Sequence, residues 1–210
     1  MFGIHNYGLF ILSGFLLNLV PGQDNLYIIG RSISQGRRAG MLSALGISTG
    51  CLVHTLAATF GLSALLAASS QAFRVVKLIG AAYLIYLGVR MLLSRSFSYR
   101  GAAETASPTP DWVVYRQGIL TNVLNPKVAL FFLAFLPQFI DPHSGTKIPA
   151  FLLLGMTFIT TGTIWCLFVA WFASAFSRRL RESPSAGSWL NRAAGALFVG
   201  LGLKLAWARN

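Results

Sequence analysis

AGMLSALGISTGCLVHTLAATFGLSALLAA, residues 39–68, contains no Asp, Glu, Lys or Arg over 30 positions. A helix crossing the hydrocarbon core of a bilayer needs about 20 apolar residues, so this stretch is long enough to span and too apolar for the surface of a soluble domain. The rest of the 210-residue chain repeats the pattern. Its residues are 55% hydrophobic and 10% charged, against about 25% charged in a soluble globular domain, and the mean hydropathy is +0.64. The fold class is therefore an all-α integral membrane protein.

Six transmembrane helices are expected, over residues 7–29, 39–68, 75–93, 117–140, 148–176 and 193–208. Lys77 and Arg90 shorten the uncharged part of the third, and Lys204 interrupts the sixth. Both depend on long basic side chains reaching the interface, so a five-span chain stays open. No Lys or Arg precedes Tyr7 and no small-residue cleavage pattern follows, so no removable signal peptide is expected. Cys51 and Cys166 lie far apart inside apolar runs, which fits packing residues better than a disulfide or a thiolate metal site.

Seventeen basic residues stand against five acids, for a net charge of +12. In a soluble chain that would point to nucleic acid. Here eleven of the basics fall after the first, third and fifth spans: Arg31, Arg37, Arg38, Arg90, Arg95, Arg100, Arg116, Arg178, Arg179, Arg181 and Arg192. The opposite side has Arg74, Lys77, Lys147, Lys204 and Arg209. By the positive-inside rule both termini lie outside the cytoplasm. Lipid headgroups are then the nearest anionic partners, and no nucleic acid is expected.

Residues 94–116, rich at first in Ser, Ala, Thr and Pro, read as a cytoplasmic linker between a first three-helix unit, 1–93, and a second, 117–210. An odd number of spans per half makes the second enter the membrane upside down, as two inverted three-helix repeats. Gly14-Phe15-Leu16-Leu17-Asn18-Leu19-Val20-Pro21 can be laid on Gly118-Ile119-Leu120-Thr121-Asn122-Val123-Leu124-Asn125-Pro126, and Leu87-Gly88-Val89-Arg90 on Leu201-Gly202-Leu203-Lys204.

Both first helices should be broken. Asn18-Leu19-Val20-Pro21-Gly22-Gln23-Asp24-Asn25 interrupts an apolar span with a proline, which removes a donor, and a glycine, which loosens the backbone. In hydrocarbon such a break survives where it is buried in protein or lines a wet cavity. A simple kink is the plain alternative; four polar side chains crowded around it favour a binding site. In Asn122-Val123-Leu124-Asn125-Pro126-Lys127, Asn125 suits an N-cap and Pro126 the first helical position. A half-helix starting there aims its positive end into the protein, where a carboxylate fits. Lys127 would either reinforce that field or extend to the headgroups.

Asp24 is the one acid well inside an expected span, and a charge at mid-membrane costs about 2.5–3.5 kcal/mol on translocon scales. It would carry a proton or meet a substrate ammonium, or else pair with Arg31 two turns on. His54 shares a helix face with Gly46 and Gly50. It could take up protons, bind substrate or simply pack. The glycines would serve a homodimer, and close packing within one chain explains them equally well. No metal set, no phosphate loop and no nucleophile with its base is visible, so neither a metal, a cofactor nor an enzyme is expected.

Pro21-Gly22-Gln23 with Arg31-Ser32-Ile33-Ser34-Gln35-Gly36-Arg37-Arg38-Ala39-Gly40, the run Gly80-Ala81-Ala82-Tyr83-Leu84-Ile85-Tyr86-Leu87-Gly88, Asn125-Pro126-Lys127 and Phe131-Phe132-Leu133-Ala134-Phe135-Leu136-Pro137-Gln138-Phe139 together resemble the LysE/RhtB family of bacterial amino-acid exporters. Gln23 departs from the family's Pro-Gly-Pro, at a place where substrate would be read. The resemblance implies proton-driven efflux of an amino acid or derivative, such as homoserine, threonine, leucine or lysine, across the bacterial inner membrane. Asn18, Pro21, Gly22, Gln23, Asp24, Asn122, Asn125, Pro126 and Lys127 are the expected substrate-binding set, with Asp24 and His54 as proton-coupling candidates. Export of another small metabolite or signal is the alternative, with an intramembrane enzyme further behind.

Overall fold

The computed structural model describes residues 2–20, 22–62, 109–141 and 144–175, with single helical positions between 71 and 89 and at 199, 200 and 203. Apart from those positions, the expected third and sixth spans lie outside the described residues, as do the linker up to residue 108 and Pro21. Every regular element among the described residues is helical, and one isolated bridge pairs Ile4 with Ile140.

The first expected span is two helices, α1 (Tyr7–Leu19) and α2 (Gln23–Gln35). The break falls where the sequence puts it, but the second piece continues six residues past Ile29 as an amphipathic helix ending in Ser32, Ser34 and Gln35. Its polar face gave no span signal, which is why the hydropathy reading stopped early. A single residue, Gly36, with φ of 85°, reverses the chain into α3 (Arg37–Ala57). A left-handed φ is open to glycine at no steric cost.

α3 continues through a π-helical turn, Ala58–Leu62, and the 26 residues together are apolar and long enough to cross a membrane. At 1.5 Å per residue they reach about 39 Å against a hydrocarbon core of about 30 Å. The fourth expected span is again two pieces, α4 (Asp111–Val123) and α5 (Pro126–Ala134), the latter followed by a 3-10 turn, Leu136–Phe139. The two parts meet at 48°. The helix starts at Asp111, six residues before Gln117, because Pro110 precedes a first turn with an acid in it, a favourable helix start that hydropathy does not register. α6 (Lys147–Ala175) matches the fifth span to within one residue at each end and is the second helix long and apolar enough to cross.

Close backbone approach joins α3 to α4. A Cβ on Gly46 would overlap the Tyr115 carbonyl, one on Gly118 would sit 2.8 Å from Ser43 O, and one on Gly50 would sit 2.7 Å from Ile119 O. The Gly46-x-x-x-Gly50 face, one of whose two expected uses was a second copy, is filled by α4 of the same chain.

At one end of the molecule, Phe10, Phe131, Phe135 and Phe139 form an aromatic cluster, with ring centroids 4.8 Å apart for Phe131–Phe135 and 5.3 Å for Phe10–Phe139. The N-terminal segment closes over this end, where His5 N donates to Phe139 O at 3.0 Å and Asp141 N to Gly3 O at 2.9 Å. Arg31, Arg38 and the start of α4 share the opposite end. There Arg31 Nη2 donates to Gln117 Oε1 at 2.6 Å and Arg31 Nη1 to Thr109 Oγ1 at 2.9 Å, while Arg38 pairs with Asp111 at 2.6 Å.

Candidate functional site

Between these ends the two breaks meet. The last carbonyls of α1 and α4 and the first amides of α2 and α5 have no partners within their own helices, and the polar side chains predicted around the breaks converge on them. Asn25 Nδ2 donates to Asn18 O at 3.0 Å and to Val20 O at 3.1 Å, so a residue of α2 satisfies the end of α1. Lys127 Nζ arrives from α5 and donates to Leu17 O at 2.9 Å and Val20 O at 3.0 Å. The lysine points into the protein, so the headgroup alternative does not describe it.

The second break is built as the sequence predicts. Asn125 is the N-cap of α5, its Oδ1 accepting from Lys127 N at 3.0 Å, and Pro126 opens the helix. His54 Nε2 lies 3.0 Å from Asn122 O, and since a carbonyl only accepts, that ring nitrogen is the donor. His54 thus satisfies the end of α4 and is not among the residues lining the cavity described next.

A cavity of about 40 Å³ lies at the junction, lined by Asn18, Gly22, Asp24, Asn25, Asn122, Asn125 and Lys127 of the breaks and by Ser48, Cys51, Gly162, Thr163 and Cys166 of α3 and α6. At roughly 10–15 Å³ per water it admits about three or four water-sized groups. Asn122 Nδ2 donates to Asp24 Oδ2 at 2.9 Å. Three polar atoms around it are buried with no hydrogen-bond partner among the described residues: Asp24 Oδ1, Asn122 Oδ1 and Asn18 Nδ2. Buried polar groups in native structures are nearly always paired, and three orphans on cavity-lining residues call for donors and acceptors from outside the chain, whether water or another small molecule. Arg31, engaged with Gln117 and Thr109, is not the partner of Asp24.

A family model described as LysE type translocator matches residues 15–209. The chain belongs to the LysE translocator family. A leucine efflux protein of Enterobacter sp. is 29% identical over 205 residues, covering 98% of this chain and 97% of its own. The leucine efflux protein of Salmonella typhimurium is 27% identical over 208 residues, covering 98% and 96%. An uncharacterized membrane protein of Vibrio cholerae is 32% identical over 206 residues, covering 98% of both chains. No solved structure matches.

In this LysE translocator the predicted set divides. Asn18, Gly22, Asp24, Asn122, Asn125 and Lys127 line one cavity. Gln23 does not: it is the exposed first residue of α2, and Pro126 is the exposed first residue of α5. The family's second proline therefore falls at the first helical position, where proline is favoured because its missing N–H is spare, and Gln23 keeps the helix start without facing the cavity. Pro21 lies outside the described residues. Sequence reasoning missed the cavity walls on α3 and α6. Ser48 and Thr163, whose hydroxyls are 2.7 Å apart, and Gly162, against which Asn18 rests, carry no local signature in a long apolar helix.

Proposed function

We propose that this LysE translocator is a secondary-active, proton-coupled exporter of an amino acid with an uncharged side chain, leucine being the first to test. The observation that carries the proposal is the half-satisfied Asp24 carboxylate in the cavity between two broken helices. An α-ammonium offers three donors and suits the two unpartnered acceptors, Asp24 Oδ1 and Asn122 Oδ1. A carboxylate accepts, and suits Asn18 Nδ2 together with the amide end of α2, whose N-cap, Gly22, supplies no side-chain acceptor of its own. Lys127 covers the carbonyl end of α1 and so removes the negative field that would repel an anion there.

Leu17, Val20, Ile47, Val128, Phe158 and Ile159 complete the lining and leave no further charge to meet a charged side chain. The names of the leucine efflux relatives agree with that preference. Two inverted repeats rocking about the cavity are the proposed machinery. Its support is that α1 and α4 have 13 residues each and break directly after Asn18-Leu19 and Asn122-Val123. The bacterial inner membrane, with both termini outside the cytoplasm, is the proposed setting, on the strength of the basic residues gathered at the Arg31 and Arg38 end.

Expression in a bacterial strain sensitive to amino-acid analogues tests the proposal. Protection against leucine analogues, extracellular leucine accumulation, and loss of both on adding a protonophore are the expected results. Protection against no amino acid or analogue would overturn the substrate class, and efflux indifferent to the protonophore would overturn the coupling.

A further inference from the structure

Asp24 and Lys127 occupy the same place in two different helices. α2 begins at Gln23 and α5 at Pro126, so each is the second residue of its half-helix, one acidic and one basic. Each reaches out of its own half of the chain to the break in the other. Asp24 Oδ2 accepts from Asn122, next to last in α4, and Lys127 Nζ donates to the carbonyls of Leu17 and Val20, where α1 ends. We propose that these contacts form a reciprocal brace that holds the two broken helices together around the cavity, and that Lys127 is a positioning residue of transport rather than a ligand of the substrate.

The end of α1 needs such a partner. Its last carbonyls carry the negative end of the helix dipole and lack the donors of a further turn, Leu16 O and Leu17 O sharing the single cap amide of Val20 at 3.3 Å, and the membrane interior supplies no water to cover them. Asn25 covers Asn18 O and Val20 O from within the first half, and Lys127 covers Leu17 O from the second. Two of the three ammonium donors are thus committed to main chain. Motion of one half against the other leaves the Asn25 bonds intact, since both ends move together, but it must break the Lys127 and Asp24 bonds. The brace therefore weights the equilibrium between closed and open cavity. Arg31, bonded to Gln117 and Thr109 nearer the other end of α2, is a separate tie that the variants below leave in place.

The chain contains two cysteines, Cys51 and Cys166, and both are buried thiols lining this cavity, so the native sequence supplies the reporters. The full-length protein is reconstituted in liposomes and modified with a charged methanethiosulfonate, and leucine binding is measured in parallel on the purified protein. Wild type should react slowly. K127M should react about tenfold faster, the signature of a population shift. K127R, whose guanidinium retains donors for both carbonyls, should restore slow labelling. Labelling of K127M at the wild-type rate would overturn the brace, as would a tenfold or greater loss of leucine affinity with labelling unchanged, the pattern of a substrate ligand. If K127M does not fold, K127R decides: slow labelling supports the brace and fast labelling overturns it. The brace is argued around a transport cavity and so rests on the transporter reading. Its labelling test does not depend on the substrate, because wild-type protein that binds no leucine counts against the amino-acid assignment alone.

Discussion

At the scale of single residues the weight falls on Asp24. A charge-assisted hydrogen bond contributes about 1.5–3 kcal/mol, so replacing Asp24 with Asn should weaken leucine binding by about 10- to 100-fold, read by equilibrium binding to the purified protein. Affinity unchanged in D24N would remove Asp24 from the site. Asn18→Ala removes one neutral donor, worth about 0.5–1.5 kcal/mol, and should weaken binding by tenfold or less in the same assay; an effect as large as that of D24N would reverse the proposed assignment of the two ends of the substrate. The sequence marks Asp24 because an acid inside an apolar span has to be explained. The partners of Lys127 and His54 were not legible, because both bond to main-chain carbonyls about 70 to 110 residues away, and a carbonyl leaves no signature in the residue type that carries it. Gln23 stood next to the site in sequence but starts a helix with its side chain outward, since adjacent helical positions point about 100° apart.

At the scale of elements the breaks and the close packing make separate predictions. Asn125 caps α5 through a bond to Lys127 N at 3.0 Å, and Asn125→Ala should cost about 1 kcal/mol of stability, measured as a lowered unfolding midpoint in detergent. Gly46→Ala drives a methyl group into the Tyr115 carbonyl, and overpacking of this kind costs about 1–3 kcal/mol; Gly8→Ala, a helical glycine with open space around it, is the matched control and should leave stability unchanged or raise it by up to about 1 kcal/mol. A stable G46A protein would show that α3 and α4 do not approach as described. Helix positions were legible where apolar length decides them, as in α6, and the second break was legible from Asn125-Pro126 because N-cap chemistry is local. The far end of α2 and the start of α4 were not, because they are polar turns whose place depends on contacts such as Arg31 with Gln117. Gly46 and Gly50 declared a close contact in the sequence without naming the helix that makes it.

At the scale of the whole molecule, the cavity lies between an aromatic end, closed by the N-terminal segment, and a basic end, tied by Arg31 and Arg38. Charge asymmetry gave the expected orientation from sequence alone, and the structure adds that the N-terminal segment and residues 139–141 share the end opposite Arg31. Reporter fusions at Gly36 and at Gly145 should therefore report opposite sides of the membrane, with Gly36 cytoplasmic; the same side for both would refute the orientation. The proposed inverted repeats rest, in the sequence, on a few matched Gly and Asn positions, since apolar residues are interchangeable in lipid. The most direct test of export through the broken-helix cavity is counterflow of labelled leucine into liposomes that hold purified protein and excess unlabelled leucine. Wild type should accumulate label that is recovered chemically intact, and D24N at the same protein density should accumulate about tenfold less or none. Equal accumulation by D24N and wild type, or none by wild type with any amino acid, would contradict the account.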